Sequence, residues 1–213
     1  MTETAPTVLV LACGALAHEI IAVLRASGWS HVAVQCLPAA LHNTPAAIPE
    51  RVRAALGAVR GRYERVFVAY ADCGTGGELD RVLREEGVER IPGAHCYEFF
   101  AGSRLFAELA EEEPGTFFLT DFLARHFDRL VMKGLGLERH PELLPMYFGN
   151  YRRLVYLSQS DSAELLARAQ QAAARLQLEF EHRRVGHDNL AGALTHGIRM
   201  VSRHGKADRR LLA

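Results

Sequence analysis

Short apolar runs and stretches of helical period alternate along most of this chain. Thr7-Val8-Leu9-Val10-Leu11-Ala12 is apolar and is broken by Cys13-Gly14. Leu16, Ile20, Val23 and Leu24 follow at helical spacing, and Gly28 ends that helix. His31 to Pro38 reads as a second strand, and the loop Ala39 to Pro45 leads into a helix that reaches Val59. Val66-Phe67-Val68-Ala69-Tyr70 is a third strand, followed by a glycine-rich turn and a helix opening at Glu78. Val88 to Ile91 is a brief fourth strand, after which Gly93 to Phe100 leads into a helix running to Ala110. Strand-then-helix units in succession predict a parallel sheet with right-handed crossovers.

The pattern restarts after Glu111-Glu112-Glu113-Pro114-Gly115. Thr116 to Leu119 is strand-like, and Thr120 or Asp121 can cap a helix whose core face holds Phe122, His126, Phe127 and Leu130. Arg153 to Leu157 is another strand with Ser158-Gln159-Ser160-Asp161 at its end; Ala163 to Leu176 is strongly helical, and Leu178 to Arg184 is the last strand. The expected fold is therefore α/β, mainly parallel with helices on both faces, and the restart suggests two Rossmann-like lobes. The expected boundaries are residues 1–113, 114–190 and a C-terminal helix and basic tail over 191–213.

Composition narrows the function classes. The chain has 213 residues, enough for a real core, with 25 Lys and Arg against 25 Asp and Glu. That balance gives no electrostatic case for nucleic acid or an anionic membrane. The basic stretch Arg199 to Arg210 reads as tail rather than binding arm, and no apolar run is long enough to span a bilayer. Val10-Leu11-Ala12-Cys13 mimics a lipoprotein cleavage site, but no Lys or Arg precedes it and the apolar run is too short, so a cytoplasmic protein is expected.

The densest chemistry is Asp72-Cys73-Gly74-Thr75-Gly76-Gly77, at a strand-to-helix turn where open α/β proteins bind ligands. Gly74, Thr75, Gly76 and Gly77 could present backbone amides to a phosphate or carboxylate, although the turn lacks a P-loop ending and the GxGxxG spacing. Cys13, Cys36, Cys73 and Cys96 each fall at or near a strand end, with no CxxC pair. Cys36, inside an apolar run, reads as packing. Cys13, Cys73 and Cys96 are candidate metal ligands together with His95, and His42 is a further ligand or acid/base. Zinc or an iron–sulfur cluster would suit such donors. Asp72 and Glu98 are candidate proton-transfer groups, while the helix dipole alone also explains Glu98, and an ordinary turn explains His42-Asn43-Thr44-Pro45. The thiols are equally readable as small buried hydrophobes.

Ala12-Cys13-Gly14-Ala15-Leu16, Leu41-His42-Asn43, Tyr70 through Gly77, His95-Cys96-Tyr97-Glu98, Gly115 through Asp121 and Gly149-Asn150-Tyr151 together resemble an uncharacterised prokaryotic family, a domain of unknown function of methanogenic archaea and bacteria. The resemblance covers residues 7 to 190. It implies a setting near corrinoid-dependent methyltransferase systems and supplies no catalytic residues. The expectation is thus a metal-thiolate transferase or lyase acting on a small molecule in methyl-group or corrinoid metabolism. The alternatives are a metal-free cysteine enzyme of the racemase or lyase kind, and a non-catalytic accessory protein binding a corrinoid or a methyltransferase subunit.

Overall fold

The computed structural model of the protein describes residues 6–211, and side chains as far as Val201. The chain divides into two units, residues 1–96 with 190–213, and residues 97–189.

The first unit is built from β1 (Val8–Cys13), α1 (Ala17–Ala26), β2 (Val32–Leu37), α2 (Ile48–Val59), β3 (Arg65–Ala69), α3 (Glu78–Glu86) and β4 (Glu89–Arg90). All pairings are parallel and the strand order is β2-β1-β3-β4. The central strand β1 is buried along its whole length, which is why its sequence shows no polar alternation. β2 lies at the edge, so Cys36 is exposed there rather than packed inside. In this order the chain passes from β1 to one neighbour, then crosses back to β3 on the other side. The crossing creates a crevice at the carboxyl ends of β1 and β3.

The second unit holds α4 (Glu98–Ala101), α5 (Ser103–Glu112), β5 (Thr116–Thr120), α6 (Asp121–Arg125), α7 (Leu144–Phe148), β6 (Arg153–Ser158), α8 (Ala163–Leu176) and β7 (Glu179–Arg184). Its strands pair in parallel in the order β5-β6-β7. Alternate residues of β6 feed opposite cores: Leu154 and Tyr156 join Ala169, Ala172 and Leu176 of α8, while Val155 and Leu157 join Leu109 of α5. Tyr97 and Phe106 pack on Phe118 of β5, which ties α4 and α5 to this unit. Both units are thus α/β with parallel, Rossmann-like sheets. Among the described residues no helix is long and apolar enough to cross a membrane.

The final helix α9 (Asp188–Leu211) carries the basic stretch, whose side chains beyond Val201 lie outside the described residues. It returns to the first unit, where Leu190, Leu194 and Ile198 are buried. Gly197 lies so close to the Phe67 ring of β3 that a Cβ there would overlap it. Phe67 is 2 % exposed. Gly197→Ala is therefore expected to lower stability by about 1–3 kcal/mol, the usual cost of overpacking. Urea unfolding measures this, and adding Phe67→Leu should recover part of the loss.

Candidate functional site

Four loops at the carboxyl edge of the first sheet supply the chemistry, beginning with the turn after β1. A Cβ on Gly14 would stand 2.8 Å from the Leu37 carbonyl oxygen and 3.4 Å from the Ala39 amide. Glycine here lets the turn after β1 lie directly against the turn after β2. The latter is a 3₁₀ turn, Ala39–Asn43, that carries His42. His42 Nδ1 sits 3.2 Å from the Ala39 carbonyl oxygen and 3.8 Å from Cys13 Sγ. Cys13 itself is fully buried and accepts the Ala15 amide.

The turn after β3 is shaped by Asp72. Its carboxylate accepts bonds from Thr75 Oγ1 at 2.6 Å, the Gly77 amide at 2.9 Å and the Gly76 amide at 3.1 Å. The donors expected to cradle a ligand are thus turned onto the protein's own anion. Burial alone would raise the Asp72 pKa, but these bonds outweigh it and hold the carboxyl below its ordinary value. Cys73 sits at φ +51°, a conformation uncommon for a residue with a Cβ and typical of strained functional sites.

This turn is tied to the loop after β4. The Asp72 amide donates to the Gly93 carbonyl at 3.0 Å, and the Cys73 amide to that of Ala94 at 2.8 Å. Arg90 braces the same loop: it forms a two-pronged pair with Asp80 at 2.6 and 2.9 Å and donates to the carbonyls of Ile91 and Gly93. The result is a Cys73 Sγ to Cys96 Sγ distance of 3.2 Å, with both thiols buried.

His42, Cys73 and Cys96 converge: one ligand atom from each lies within 4.8 Å of the others. The electrostatics follow from that packing. The Cys96 thiol donates to Cys73, which together with His42 outweighs burial and pulls the Cys73 pKa well down, while that contact and burial push Cys96 up. Burial opposes charge on His42, yet its contacts with Cys13 and Cys73 prevail and raise it to about 11. Both shifts favour an imidazolium beside a thiolate in the metal-free site. Tyr70, the residue after β3, lies beneath it with its ring parallel to that of His42, centroids 6.3 Å apart. Burial, then Cys13 and Cys96, drive its phenol pKa upward. Tyr70 is a site residue that sequence reasoning placed at a strand terminus and in the motif Tyr70 through Gly77 without giving it a role; its place directly before the Cys73 turn was the available signal.

The other expected residues are placed differently. Cys13 stands behind the imidazole and is not one of the three converging donors. His95 is exposed and does not join them. Glu98 belongs to the second unit, where it opens α4 and accepts Ser103 Oγ at 2.6 Å. The edge of the second sheet is also polar, but closed: buried Asp121 accepts Tyr156 Oη, the Gln159 and Ser160 amides, and Ser160 Oγ.

A family model described as a protein of unknown function, DUF1638, matches residues 36–194. The chain belongs to that family. The matched span includes His42, Tyr70, Cys73 and Cys96, while Cys13 precedes it. No curated protein and no solved structure matches the chain.

The paired titration has a sign that can be checked. A lowered Cys73 pKa contributes stability that is present above the unfolded value of about 8.5 and is lost as pH falls through the lowered one. A raised His42 pKa contributes stability complete below about pH 6.5 and lost as pH rises through about 11. Ultraviolet thiolate absorbance of the reduced, metal-free protein should show one thiolate persisting well below pH 8.5. Cys73→Ser should remove that signal, and His42→Ala should move its midpoint upward.

Proposed function

We propose that this chain is a metal-thiolate protein in which His42, Cys73 and Cys96 bind one zinc-class ion and leave one coordination position open. The observation that carries this is the convergence of three donor atoms within 4.8 Å from loops after β2, β3 and β4. Two thiolates on one tetrahedral zinc stand about 3.8 Å apart, given zinc–sulfur bonds of about 2.3 Å. The thiols at 3.2 Å need only a small outward shift to reach that spacing.

The histidine supports the same reading. With Nδ1–H donated to the Ala39 carbonyl, the Nε2 lone pair becomes the metal donor, the arrangement common to metal-ligating imidazoles. Two cysteines with one histidine form a set used by catalytic zinc, in which the fourth position takes water or substrate. An iron–sulfur cluster calls for more thiolates than the pair that converges with His42. A metal-free racemase, with thiols acting across a substrate, fits poorly because 3.2 Å leaves no space for a substrate carbon between them. On this reading the protein is an enzyme that uses its metal as a Lewis acid on a small molecule, with methyl-group metabolism as the proposed setting. Asp72 then serves to shape the turn that presents Cys73.

Metal analysis of the purified chain should give one zinc per molecule. His42→Ala, Cys73→Ser and Cys96→Ser should each abolish binding, His95→Ala should leave it unchanged, and Cys13→Ser should weaken it about 10- to 100-fold, as loss of an outer-shell partner does. Full metal content in Cys73→Ser would sink the reading.

A further inference from the structure

Tyr70 is fully buried, at 0 % exposure, and its hydroxyl makes no hydrogen bond. Buried hydroxyls in native proteins are almost always partnered, so one without an acceptor calls for a functional account. The hydroxyl stands in the electrostatic reach of Cys13, Cys96 and Cys73, and its ring runs parallel to that of His42. The ring thus lies against the His42 member of the donor cluster. Cys13 sulfur is close enough to interact but is a weak acceptor and does not meet the hydroxyl with hydrogen-bond geometry.

We infer that the Tyr70 hydroxyl donates a hydrogen bond to an oxygen atom of a small ligand at the open metal position, so that the site selects oxygen donors over thiols. This rests on the metal reading above. The selectivity follows from the chemistry of the donor: O–H to oxygen bonds are short and strong, whereas sulfur accepts poorly. Charge adds to the worth of that bond without choosing between oxygen and sulfur. A dication, two thiolates and a neutral imidazole sum to zero, so a hydroxide, alkoxide or carboxylate oxygen adds a buried negative charge. A fixed phenol donor stabilises that charge.

Cobalt(II) in place of zinc makes the test spectroscopic. Formate serves as the oxygen-donor probe and 2-mercaptoethanol as the thiol probe, each titrated into the cobalt-loaded chain. Formate should shift the cobalt ligand-field bands saturably, and Tyr70→Phe should weaken formate about tenfold, the worth of one hydrogen bond to a charged group. Cobalt affinity and mercaptoethanol affinity should be unchanged in the variant. Equal formate affinity in both proteins, an equal loss for the thiol, or no response to formate in the wild type overturns the inference. Absence of thiolate-to-cobalt charge transfer removes the metal reading itself, and Tyr70 with it. A further readout guards against a purely structural role. Metal-free Tyr70→Phe should melt no lower than wild type because no protein hydrogen bond is lost, and a lower melting temperature would also overturn the inference.

Discussion

Two backbone hydrogen bonds, Asp72 N–H to Gly93 C=O and Cys73 N–H to Ala94 C=O, hold the candidate site together. β4 has only two residues, so strand pairing alone would leave the chain beyond it unconstrained. These bonds continue the β3–β4 alignment past the end of the sheet and fix where Cys96 emerges. Everything else in the cluster is adjustment around that alignment. Asp72 gathers the glycine amides so that the turn can keep Cys73 at positive φ, and the Asp80–Arg90 pair stiffens the far side.

The same geometry explains the charge distribution. A thiolate and an imidazolium brought together out of water favour each other's charged form more than burial disfavours it. A metal bound here would replace the protons on His42 and Cys96, so the site trades one kind of positive charge for another. Cys13 and the Ala39 carbonyl set the orientation of the imidazole.

The α/β class and the parallel pairing were legible because buried strands and amphipathic helices alternate so regularly. The strand order was not. Nothing local to Cys13, His42, Cys73 or Cys96 says that β1 and β3 are neighbours, and only that adjacency decides which side chains share a space. Cys36 shows the limit from the other side: an apolar neighbourhood in sequence became an exposed edge, because Val32 to Leu37 forms the outermost strand. The glycines after Cys73 do adopt positive φ, but the sequence could not show that Asp72 would claim their amides. His95 and Cys96 are adjacent in the chain yet one is exposed and the other buried, a distinction set by the bend of a loop rather than by residue type.

The return of α9 to the first unit has a consequence for how the molecule is made. Phe67 lies on the strand that leads into Tyr70 and Cys73, and the residue that packs against it is Gly197. Ribosomal synthesis delivers the whole of residues 97–189 between those two partners. Until that stretch has been made, the Phe67 ring lacks the neighbour that Gly197 provides. Such a chain completes its first half last, so the strand that leads into Tyr70 gains its final packing only after its most distant segment has arrived.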